Sequence, residues 1–150
     1  MLNYSNHNFF TLTDITSSES NFKRLSNILV EISKQNLINE KDLFSIFNNY
    51  NITYPKVIGR HIHIMKITNL LEKKENKYNI TSEGKVIAYY SQNKDILTKE
   101  EKCIYFQQFF KNIYPQLFCV LDIIENNIET MFKWLENLEI ISDNKKFKLI

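Results

Sequence analysis

The chain has 150 residues, 43% of them hydrophobic and 13% aromatic, enough for one medium domain or two very small ones and too apolar for general disorder. Gly and Pro number two each, which favours helices with short connections over a turn-rich β-sandwich. The net charge of +2 excludes a polycation, and no apolar stretch approaches the ~18 residues that span a bilayer.

Lys, Asn and Ile are abundant, as in an AT-rich coding genome, so the position of charge says more than its amount. Residues 1–54 hold four basic and five acidic groups, and residues 86–150 hold eight and nine. Residues 55–85 hold seven basic groups against three acidic, so the positive excess is confined to that segment. Cys103 and Cys119 fall within apolar helical patterns and are expected as buried, reduced thiols; without a CxxC pair no zinc site is expected. No signal peptide is read at the N-terminus, so a cytoplasmic or nucleoid-associated location is expected.

Residues 1–20 read as a polar N-terminal arm with a Phe9-Phe10 pair, and Ser18 or Ser20 can cap the next helix. Over residues 21–34, Phe22, Leu25, Ile28, Leu29 and Ile32 recur at helical spacing. Asn39-Glu40-Lys41-Asp42 starts a second, short helix that turns Leu43, Phe44 and Phe47 inward. Pro55 opens a third, expected to run to about Thr68. Two strand-like runs around the tip Glu75-Asn76-Lys77 predict a β-hairpin, and Thr81-Ser82-Glu83-Gly84 opens a fourth helix. Residues 91–97 read as a linker. Thr98-Lys99-Glu100-Glu101 is a capping box that starts a helix expected to end near Ile113, with Pro115 starting another. A further helix over residues 128–138 and a hairpin with the tip Asp143-Asn144 complete the chain. The order of helices followed by a hairpin therefore occurs twice.

Ile67-Thr68-Asn69-Leu70-Leu71-Glu72-Lys73 and Tyr78-Asn79-Ile80-Thr81-Ser82-Glu83-Gly84-Lys85 resemble the winged helix-turn-helix superfamily. Members of that superfamily often end the third helix in a Gly-Leu-Ile-Glu-like turn and close the wing with Tyr-x-Leu-Thr-x-x-Gly. Trp134-Leu135-Glu136-Asn137-Leu138-Glu139-Ile140-Ile141 and Lys146-Phe147-Lys148-Leu149 look like a second, shorter copy. The resemblance implies a mainly α fold with small β-hairpin wings (α+β), a tandem winged helix-turn-helix. Module 1 would span residues 21–90 and module 2 residues 98–150, like the paired modules of bacterial restriction and defence DNA-binding proteins.

On a helical wheel, residues 55–68 place Val57, Ile58, His61, Ile64 and Met65 on a core face. Lys56, Gly59, Arg60, His63 and Ile67 fall opposite, with Lys66 at the edge. Such a face suits a helix laid in a major groove, and Lys73, Lys74 and Lys77 at the hairpin suit phosphate contacts. A solvated helix face is the plain alternative for Arg60, His63 and Lys66. His61 is expected in the core, and its spacing from His63 suits no shared metal site. In the second copy, Glu129, Glu136 and Glu139 stand against Lys133 on the corresponding helix and would repel phosphate. Lys145, Lys146 and Lys148 lie at its hairpin, and Trp134 is expected in the core.

No Gly-rich phosphate loop, GxSxG, HExxH or PD…ExK pattern is present, so no catalysis and no cofactor are expected. The expected function is double-stranded DNA binding through Lys56, Arg60, His63, Lys66, Lys73, Lys74 and Lys77. It would serve transcriptional control or DNA recognition within a defence or mobile-element system. The alternative is a protein-assembly adaptor, like tandem winged helices of endosomal-sorting and chromosome-segregation subunits; a viral inhibitor is a third. Residues 98–150 are the expected surface for a homodimer or a protein partner, and no membrane contact is expected.

Overall fold

In the computed structural model the described residues are 18–117 and Asn137. Helix α1 spans Glu19–Ser33, and the Ser18 hydroxyl caps it by accepting the Asn21 N–H at 3.2 Å. Its buried stripe is the predicted one: Phe22, Leu25, Ile28, Leu29 and Ile32 are all enclosed. A two-residue strand, β1 (Ile38–Asn39), follows, and the sequence pattern did not announce it. Asn39 serves twice in its extended conformation. Its backbone pairs opposite Lys77, while its side-chain oxygen accepts the Asp42 N–H at 2.8 Å and caps α2 (Glu40–Asn48).

Helix α3 (Pro55–Ile67) has Pro at its first position, as expected, and ends at Thr68, whose hydroxyl donates to the Ile64 carbonyl at 2.7 Å. Strands β2 (Leu71–Lys74) and β3 (Lys77–Ile80) form the predicted hairpin across the two-residue loop Glu75-Asn76. The three strands lie antiparallel in the order β1-β3-β2, with Lys73 opposite Tyr78 and Lys74 opposite Lys77.

Helix α4 (Ser82–Tyr90) is docked through Thr81 and Gly84. The Thr81 hydroxyl accepts the Gly84 N–H at 3.0 Å and donates to the Asn69 carbonyl at 2.7 Å. A Cβ on Gly84 would collide with the Leu70 carbonyl oxygen and lie 2.7 Å from Ile80 Cγ1, so only glycine lets α4 approach this closely. α1 lies along α4.

Helix α5 (Lys99–Leu117) begins with the predicted capping box. Glu101 accepts the Thr98 N–H at 3.1 Å, and Thr98 accepts the Glu101 N–H at 3.1 Å. The expected break before Pro115 does not occur, and the helix continues to Leu117. α5 enters the same core as α1 to α4. Tyr105 and Phe109 are fully buried on Phe22, with ring centroids 5.1 and 5.7 Å away. The Lys23 ammonium, almost fully enclosed, donates to Ser91 at 2.7 Å and to Glu101 at 3.2 and 3.3 Å. Tyr105 shares a hydrogen bond with the Ser26 hydroxyl at 2.8 Å, and Gln108 donates to the Thr68 carbonyl at 2.9 Å. Burial pushes the Tyr105 hydroxyl well above its ordinary pKa of 10.0; the bond to Ser26 lowers it and the Glu101 charge raises it.

The described residues thus form one mainly helical domain of five helices and a small three-stranded antiparallel sheet. Residues 1–17, Cys119 and the expected third helix and hairpin of a second copy, including Trp134 and Lys145, Lys146 and Lys148, lie outside the described residues. Cys103 is half-buried rather than enclosed as expected. Among the described residues no helix is long and apolar enough to cross a membrane.

Candidate functional site

The predicted cationic helix is held by an apolar face of Ile58, Ile62, Ile64 and Met65, all buried. His61 lies among them, as expected: its Nδ1–H donates to the Val57 carbonyl at 2.9 Å and its ring meets Phe47 edge-on at 5.8 Å. That bond fixes the tautomer and makes His61 part of the packing. Val57, expected in the core, is half-buried, whereas Ile62, not singled out from the wheel, is enclosed. On the opposite face Lys56, Gly59 and Lys66 are exposed, and Arg60, His63 and Ile67 are half-buried.

The hairpin carries the other three predicted side chains. Lys73, Lys74 and Lys77 are all exposed. The Lys73 ammonium lies 5.6 Å from the centre of the Tyr78 ring, directly across the strand pair. Lys74 lies 3.5 Å from Glu72, which also accepts a hydrogen bond from Asn79 at 3.2 Å. An exposed pair of this kind contributes about 0–1 kcal/mol, so Lys74 can exchange Glu72 for another anion at little cost.

Helix and hairpin meet in a pocket of about 200 Å³. Gly59, His63 and Lys66 form one wall, Phe44 and Ile62 the apolar interior, and Tyr78 the hairpin side. Tyr78 is buried, and the same ring carries Lys73 on its hairpin side. One aromatic ring therefore lies between Lys73 of the hairpin and the pocket wall that carries Lys66, while Lys74 and Lys77, the next cross-strand pair, face the other side of the hairpin. Glu40, at the start of α2, also lines this pocket and opposes the positive field there.

Phe44, Ile62, Tyr78 and Glu40 were not among the site residues expected from sequence. Strand alternation across Tyr78 and Ile80 was a signal for a buried Tyr78, but nothing in the linear pattern says which helix it faces. Among the described residues no three His, Cys, Asp or Glu side chains gather as a metal site. No protein-family model matches the chain, and neither does any curated protein or solved structure.

Proposed function

We propose that this chain is a winged-helix protein that binds double-stranded DNA and catalyses no reaction on it. The observation that carries this function is the meeting of α3 and the β2–β3 hairpin at Tyr78. His63 and Lys66 then stand on the same pocket and ring as Lys73, and in this proposal Lys56 and Arg60 on α3 and Lys74 and Lys77 at the hairpin end add further contacts to the same duplex. The element order and the strand order β1-β3-β2 support the winged-helix assignment. So does Asn69, which turns the chain out of α3 in the left-handed conformation, φ 59°, where the family motif has glycine. At roughly 1.5 Å per residue, α3 is about 20 Å long and suits a major groove about 12 Å wide. No acid stands in its first turn to repel phosphate. The hairpin lysines would hold the backbone beside that groove. Transcriptional control and DNA recognition in a defence or mobile-element system both employ such a contact, and a second, tandem copy over residues 98–150 would add a partner surface.

Titration of a labelled duplex tests this. Wild type should bind at low salt and lose about a thousandfold in affinity between ~50 and ~200 mM salt if six phosphates are neutralised. The Arg60→Glu/Lys73→Glu variant, folded by circular dichroism, should bind far more weakly. Absence of binding at low salt, or equal binding by the variant, would refute the proposal.

A protein-assembly adaptor is favoured by a different observation. Val86, Tyr89 and Tyr90, at helical spacing on α4, are 41%, 68% and 38% exposed. An adaptor would keep its partner when the α3 and hairpin charges are reversed and lose it on Tyr89→Ala.

A further inference from the structure

We infer that Gly59 is the point at which a partner surface meets the backbone of α3; resting on the duplex-binding proposal above, that surface is the wall of a DNA groove. The chain has two glycines, and packing among the described residues accounts for only one. Gly84 is required because a Cβ there would strike Leu70 and Ile80. Gly59 has neither reason. Among the described residues nothing lies within 4 Å of where its Cβ would be, and its φ is not positive. In the middle of a helix, glycine is worse than any ordinary residue except proline, so the fold alone would be better served by alanine. What keeps the position bare is therefore to be sought outside the described residues.

Its surroundings indicate what approaches. Gly59 is exposed on the outward strip of α3, within one turn of Lys56, Arg60 and His63, and lines the pocket with Lys66. A bare stretch of helix flanked by Lys56, Arg60 and Lys66, with Glu40 as the acid that also lines the pocket, complements a polyanion whose apolar edge must come close: a deoxyribose edge against Gly59 and phosphate oxygens beside His63 and Lys66. A side chain at 59 would hold that edge off, and the flanking cations with it.

Gly59→Ala and Gly59→Leu in the full chain, each measured for unfolding and for binding to the same labelled duplex, test the inference. Both variants should unfold at denaturant concentrations no lower than wild type. Affinity should nevertheless fall, with Leu worse than Ala and reaching about tenfold or more, the scale of overpacking a close contact. Unchanged affinity in both variants, with wild type binding, would overturn the role of Gly59 and leave duplex binding standing. An earlier unfolding midpoint for Gly59→Ala would also overturn it, because the fold itself would then be using the position. A wild type that does not bind duplex would remove both proposals.

Discussion

Gly84 and Gly59 respond to the same substitution in opposite directions. Gly84→Ala forces a methyl against the Leu70 carbonyl and Ile80 and should destabilise the domain by about 1–3 kcal/mol. Gly59→Ala should stabilise it by about 0.5–1 kcal/mol. Urea unfolding midpoints measure both, and a shift in one direction for the pair would contradict the geometry. The spacing Thr81-x-x-Gly84 was legible in the sequence as a motif. Its cause was not, because the obstructing Leu70 carbonyl is brought in by the hairpin fold, a long-range approach that no local pattern encodes. Glu75 is a further case: it sits at the hairpin tip with φ 59°, which disfavours any side chain there. Glu75→Gly should raise stability by up to about 1 kcal/mol in the same assay. Tyr105 makes stability depend on alkaline pH. Its hydroxyl is raised well above 10.0 in the folded chain. The unfolded chain therefore releases this proton first, and stability that is complete below about pH 10 declines as pH rises towards the folded value. Tyr105→Phe should flatten that decline in unfolding free energies measured across pH 9 to 11; an unchanged slope would show that another group is responsible.

At the scale of elements, α5 was correctly anticipated as a capped helix, while its destination was hidden. Amphipathic spacing says which side of a helix is apolar and does not say what that side meets. The destination is α1, through Phe22, Ser26 and the enclosed pair of Lys23 with Glu101. Removing one member of a buried pair leaves the other charge without compensation, so Lys23→Met should destabilise by about 3–5 kcal/mol. Glu101→Gln should be milder, because the amide oxygen still accepts from Lys23 and Thr98. Denaturant titration of both variants checks the order, and a harmless Lys23→Met would mean that α5 is held chiefly by Tyr105 and Phe109. Strand β1 was missed for a related reason. Two residues are too short to show alternation, and Asn39 displays only its capping role in the linear pattern. The continuation of α5 through Pro115 shows that proline's local preference against a helix interior is a bias and not a stop signal.

For the whole molecule, a net charge of +2 conceals a concentrated distribution. Folding sets Lys66 of α3 in one pocket with Tyr78 of the hairpin, whose ring also carries Lys73, whereas the exposed tyrosines of α4 mark another surface. The cationic residue types and their helical phase could be read from the sequence. The pocket between α3 and the hairpin could not, because it depends on Phe44, Ile62 and Tyr78 arriving from three separate elements. In the proposed function, duplex DNA is bound by α3 and the hairpin together. Chemical-shift mapping of the labelled protein during titration with a short duplex tests it most directly. Shifts should concentrate at residues 56–66 and 72–78 and fade with added salt. Shifts confined to the region around Tyr89, Tyr90 and Cys103, or none at low salt, would contradict it.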